Sequence, residues 1–197
     1  SQYAIPCGKI SGTAIVNGAT ININGYAFFY HFNGIDLKKQ MQSVNRRNFV
    51  YCYDGNDGVL INVMNGKVTE NFASLILNNK LMGNSIDCDI EYLSSEIDPE
   101  SKFEIPKEVK YTSRGIVFDT GKQFEVSLVI KPTLLTENKD LLASVPAPIR
   151  AVVKNIININ PYLYRWLDEG EVNINLGDGV TKTIKGLVIQ DLMFFRK

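Results

Sequence analysis

Most of this chain reads as short apolar or alternating runs punctuated by turn signals. Asn17-Gly18, Asp54-Gly55-Asn56-Asp57-Gly58, Asn65-Gly66, Asp119-Thr120-Gly121-Lys122 and Gly177-Asp178-Gly179 each interrupt a short apolar or alternating run. Such residues supply the positive φ angles and side-chain caps that tight hairpins need. The runs between them predict strands at 8–16, 19–33, 47–53, 59–64, 68–77, 84–93, 107–112, 114–119, 122–131, 171–176 and 180–195. Short strands at this spacing predict an all-β chain: a lipocalin-like antiparallel β-barrel or curved sandwich of about ten strands.

One segment breaks the pattern. From Pro148, apolar residues fall at Ile149, Val152, Val153, Ile156 and Ile157, the stripe of an amphipathic helix, with Arg150 and Lys154 off it. Ser144, Pro146 and Pro148 precede it and Pro161 follows it, which predicts a helix near 147–159 packed by that stripe onto the strands. No linker composition or internal repeat divides the chain, so residues 1–197 are expected to form one lipocalin-like domain.

The chain is 45% hydrophobic with a formal net charge of +0, enough apolar material for a large core and no overall field to hold it on nucleic acid or an anionic membrane. DNA is therefore not expected as a partner, and a monomer is. No apolar run approaches the roughly 20 residues of a membrane span, and no signal peptide is read at the start, so a cytoplasmic protein is expected. Cys7, Cys52 and Cys88 are an odd, widely spaced set in strand-like runs. They read as buried free thiols, not as a disulfide framework or a metal site. His31 is the only histidine and has no nucleophile motif beside it. With no phosphate loop either, an enzyme is not expected.

Three local features could carry function. The segment from Gly34 to Asn48 holds Lys38, Lys39, Arg46 and Arg47 against Asp36, a charge of +3 in a neutral chain, with Asn45 among its amides. Projecting cations, amides and aromatics suit phosphates and unstacked bases, so Lys38, Lys39, Asn45, Arg46 and Arg47 are candidate RNA contacts. The stretch Ser85–Glu108 carries −6, and Glu96, Asp98, Glu100 and Glu104 are candidates for a basic protein partner. Tyr26, Phe28, Tyr30 and Phe32, one face of an aromatic strand, and Tyr162, Tyr164 and Trp166 could instead line an apolar cavity.

The run Gly25-Tyr26-Ala27-Phe28-Phe29-Tyr30-His31-Phe32-Asn33-Gly34, then Arg47-Asn48-Phe49, then Pro161-Tyr162-Leu163-Tyr164-Arg165-Trp166 and the closing Gly186–Phe194 resemble, in order, motifs of the survival-factor family of oxidative-stress survival. The likeness is to the lipocalin-like C-terminal half and covers roughly residues 7–194. It implies a lipocalin-like barrel without a cofactor, and an association with stress survival and ceramide movement. The chain departs where the family has an acidic, threonine-rich strand and this sequence has Leu60-Ile61-Asn62-Val63-Met64; the family's membrane-targeting half is not in it. A small, single-domain form is also similar to microsporidian dormancy factors. These departures and the basic and acidic segments favour a non-enzymatic stress or dormancy factor. It would bind ribosomal RNA and basic ribosomal proteins and block translation by occupancy. The alternative is an intracellular carrier of a ceramide-like lipid.

Overall fold

The computed structural model describes residues 2–32, 43–67, 69–156, 158–177 and 179–196, with the side chains of 2–7 and 28–32 left out of the description. Eleven strands and one helix lie among them. Two strands form a hairpin of their own: β1 (Gln2–Val16) and β2 (Ala19–Phe32). Asn17 and Gly18 turn it with φ of 50° and 80°, the left-handed pair that Asn-Gly supplies at least cost. The other strands are β3 (Val44–Tyr53), β4 (Gly58–Gly66), β5 (Phe72–Leu77), β6 (Lys80–Ile97), β7 (Glu104–Val117), β8 (Gln123–Ile130), β9 (Leu135–Asp140), β10 (Tyr162–Asn175) and β11 (Thr181–Phe194).

These nine make one antiparallel sheet in the order β11-β3-β4-β5-β6-β7-β8-β10-β9, and β11 pairs with β10 as well. The pairing therefore returns on itself as a closed ring. One edge of β10 is shared: Glu171–Asn175 pair with β8, and Tyr162–Trp166 pair with β9. The tight turns β3–β4, β5–β6, β7–β8 and β10–β11 gather at one end of the ring, the turn end. The β6–β7 connection, residues 98–103, lies at the other, the loop end.

Alternation sorts the side chains. Inward positions supply the main core: Val50, Cys52, Val59, Ile61, Leu75, Val109, Val126, Leu128, Val172, Ile174, Ile184 and Val188. At the loop end the inward residues turn aromatic, with Phe103, Tyr162, Tyr164, Trp166, Leu192 and Phe194 packed together. The outward residues Phe49, Tyr51, Tyr53, Leu60 and Ile76 are buried too. The ring of Tyr26 from β2 meets Tyr53 edge-on there, with centroids 5.1 Å apart.

Four expectations need correction. Residues 104–117 are one strand, where two were expected, and β9 and the first half of β10 were not foreseen. The strand expected at 47 starts at Val44, so Asn45, Arg46 and Arg47 belong to a β-ladder, not a loop. The helix, α1, spans Ala147–Asn155. It does not pack its stripe inward: Ile149, Val152 and Ile156 are 56%, 47% and 77% exposed, and Val153 is half-buried. Ile157 lies outside the described residues. Polar groups hold the helix instead, Arg150 Nη2 donating to the Val145 carbonyl at 3.2 Å and Lys154 Nζ to Asp140 Oδ2 at 2.7 Å.

Candidate functional site

The ring interior is apolar along most of its length, and that makes its polar exceptions informative. Asn48 on β3, Tyr92 on β6, Tyr111 on β7 and Gln190 on β11 point inward near the boundary between the aliphatic core and the aromatic loop end. Tyr92 donates its hydroxyl to Asn48 Oδ1 at 3.2 Å, and Gln190 Nε2 donates to the Tyr111 hydroxyl at 2.9 Å. The two bonds cross the ring from the β3–β11 wall to the β6–β7 wall and make a polar belt. Burial pushes the Tyr92 phenol up to about 12, with opposing help from the Arg46 cation, and pushes Tyr111 up further. Both stay neutral at ordinary pH.

Each amide of the belt is half satisfied. Asn48 Nδ2 and Gln190 Oε1 have no hydrogen-bond partner among the described residues, although the two side chains belong to residues 0% and 1% exposed. A buried donor or acceptor left open costs about 1–3 kcal/mol, so a core built for stability alone would carry apolar residues here. The two residues sit on adjacent strands, Val50 pairing with Gln190 and Asn48 with Leu192.

The loop end is closed by a plug. Phe103 stacks on Phe194 with centroids 4.1 Å apart, and Tyr164 stacks on Trp166 at 5.6 Å. Beneath it Tyr164 donates its hydroxyl to Asp98 Oδ2 at 2.7 Å, and the Ser101 amide donates to the same oxygen at 2.7 Å. Burial pushes the Asp98 carboxyl up, but the bonds from Ser101, Tyr164 and the Glu100 amide outweigh it and hold the group below its ordinary 3.8. Cys52 and Cys88 are buried free thiols; burial, with the Asp54 charge, pushes Cys52 up to about 12. The side chain of Cys7 lies outside the description.

The candidates read from the sequence are scattered by this geometry. Lys38 and Lys39 lie outside the described residues. Arg46 points inward, its guanidinium 4.8 Å from the centre of the Tyr92 ring. Arg47 points outward over Phe49 and donates to Asn62 Oδ1 at 2.6 Å. Asn45 is exposed beside them. Neighbours on a strand face opposite ways, so Arg46 and Arg47 do not share one basic patch. Of the acidic set, Asp98 is buried in the plug, Glu96 pairs with Lys107 at 3.1 Å, Glu104 accepts from Ser95, and Glu100 is exposed. Tyr162, Tyr164 and Trp166 belong to the packed plug. Tyr26 lies outside the ring, on the hairpin. The backbones of Phe28, Tyr30 and Phe32 are in β2 as well. Their side chains and that of His31 lie outside the description. The belt has no local signature: Asn48 and Gln190 show in the sequence only as polar residues at inward positions of apolar strands.

Comparison with known proteins agrees with this architecture. The Svf1 family model matches residues 3–196. The Debaryomyces hansenii ceramide-binding protein SVF1 is 24% identical over 187 residues, covering 90% of this chain and 47% of its own length. The Schizosaccharomyces pombe ceramide-binding protein svf1 is 19% identical over 184 residues, covering 89% of this chain and 47% of its own. This chain thus spans about half the length of those curated relatives. Among solved structures, CghA superposes with a TM-score of 0.54 at 10% identity, over 96% of this chain and 51% of that one, a likeness of fold alone. The names of the relatives overturn the ribosome reading: they describe ceramide binding, and nothing in the comparisons speaks of ribosomes, hibernation or translation. Over nearly its whole length, the chain belongs to the Svf1 family.

Proposed function

We propose that this chain is a non-enzymatic lipid-binding protein that takes a ceramide-class sphingolipid into its strand ring and carries it through the cytoplasm. The observation that carries the reading is the match, across almost the entire chain, to proteins named for ceramide binding. The geometry supports it. The inward faces of β3–β8, β10 and β11 are mostly aliphatic, the chemistry an acyl chain needs around it. Among the described residues no helix is long and apolar enough to cross a membrane.

Val50, Cys52, Ile61, Leu75 and Val126 touch no solvent, so a lipid enters only when part of the wall or plug gives way. Phe103 is the part of the plug to move, because it is carried by a loop while the other plug residues sit on paired strands. The test is native mass spectrometry of the protein purified from its own cells, with binding of a fluorescent short-chain ceramide by the recombinant chain. Co-purified sphingolipid and saturable binding are expected. Absence of both would overturn the reading.

A further inference from the structure

The polar belt has a chemistry that points to a particular part of a lipid. We propose that Asn48 Nδ2 and Gln190 Oε1 form an amide-recognition pair inside the ring, reading the secondary-amide linkage of an N-acyl lipid; this rests on the lipid-binding reading above. The open atoms are one donor and one acceptor. A secondary amide presents the complement, a carbonyl to accept from Asn48 and an N–H to donate to Gln190. An ester has the carbonyl without the N–H, so the pair separates N-acyl lipids from glycerolipids with the same tails.

Three observations support the assignment. The pair is on adjacent strands, at diagonal positions of one face, close enough for a single planar group to meet both. Each amide is oriented by a tyrosine across the ring, Asn48 by Tyr92 at 3.2 Å and Gln190 by Tyr111 at 2.9 Å. And the belt lies between two apolar zones, the aliphatic core on one side and the aromatic plug on the other. That is the placing a polar linkage needs when it joins two hydrocarbon chains. Both tyrosines stay neutral, as suits an uncharged ligand.

The experiment compares a fluorescent short-chain ceramide with its N-methyl analogue, which keeps the carbonyl and loses the N–H, on the full chain and on Gln190→Met and Asn48→Leu. The wild type is expected to bind ceramide about tenfold more tightly than the N-methyl lipid, the worth of one buried hydrogen bond. Gln190→Met should bind the two lipids alike. Asn48→Leu should weaken both about tenfold and keep the preference, since both lipids retain the carbonyl. If the wild type binds ceramide but does not distinguish the analogue, or if Gln190→Met still does, the pair is not the amide site and the lipid reading stands. If the wild type binds neither lipid, the reading and the inference fall together. The wild-type comparison needs no variant, so it decides the point even where a substitution fails to fold.

Discussion

Tyr164 hands its hydroxyl to a carboxylate sixty-six residues earlier in the chain, Asp98, and both are buried. Tyr164→Phe removes that donor while leaving the ring stack on Trp166. The Ser101 amide still donates to the same oxygen, so we expect a loss of about 1.5–3 kcal/mol, the worth of one hydrogen bond to a charged group, read as a lower melting temperature. The same carboxyl sets an acid limit. Its folded value is below the ordinary 3.8, so its contribution is fully present above that value and is lost as pH falls through the folded value. Asp98→Asn should flatten the acid limb of a stability–pH curve; an unchanged limb would show that another carboxylate governs it. Cys52 offers a simpler check. With its thiol pushed up to about 12 and no exposure, it should resist alkylation at pH 8 in the folded protein and react once denatured. The belt is not legible in the sequence, and of the plug only the aromatic run Tyr162, Tyr164 and Trp166 is. Asp98 reads there as one of a run of surface carboxylates, and Asn48 and Gln190 as ordinary amides. Their roles come from contacts between strands far apart in the chain, and no local spacing records those.

Hairpins were legible because their causes are local. Asn17-Gly18 turns where it stands, and so does Asp54, whose carboxylate accepts from the amides of Asn56 and Asp57 at 2.8 Å. Edge strand β9, Leu-Thr-Glu-Asn-Lys-Asp, shows almost no alternation, because only its pairing with β10 makes it a strand. Helix α1 is the opposite case. Its period is plain in the sequence, but period gives a stripe and not the direction the stripe faces. The polar bonds of Arg150 and Lys154 decide that direction. Ile149→Asp and Ile156→Asp should therefore cost within about 0.5 kcal/mol of stability, as surface changes do; a loss of several kcal/mol would mean that the stripe is buried after all. The β1–β2 hairpin stands apart in the same way. From Gly8 to Ile23 nearly every residue is exposed, including Ile10, Ile15, Val16 and Ile21. An isolated two-stranded ribbon is marginal in water. Hydrogen exchange should find its amides opening well before those of β3, β4 and β11, which are paired on both edges.

At the scale of the molecule, the fold class was legible and the closure was not. Turn spacing and alternation predict an all-β chain, and the strands are there. That β11 pairs with both β3 and β10 follows from no pattern in its own residues. The closing strand is also the last of the eleven in chain order, and this has a consequence for how the protein is made. During synthesis β3 through β10 emerge first and can pair with one another. Until residues 181–194 follow, β3 and β10 each present a bare edge to any other extended chain nearby. The nascent protein is then an open sheet with its aliphatic face uncovered, the form most exposed to aggregation and most in need of a chaperone. A chain stopped before Thr181 should accumulate as insoluble material. The same fragment mixed during refolding with a peptide of residues 181–196 should recover soluble, β-rich protein, because the missing piece is a strand with two waiting partners.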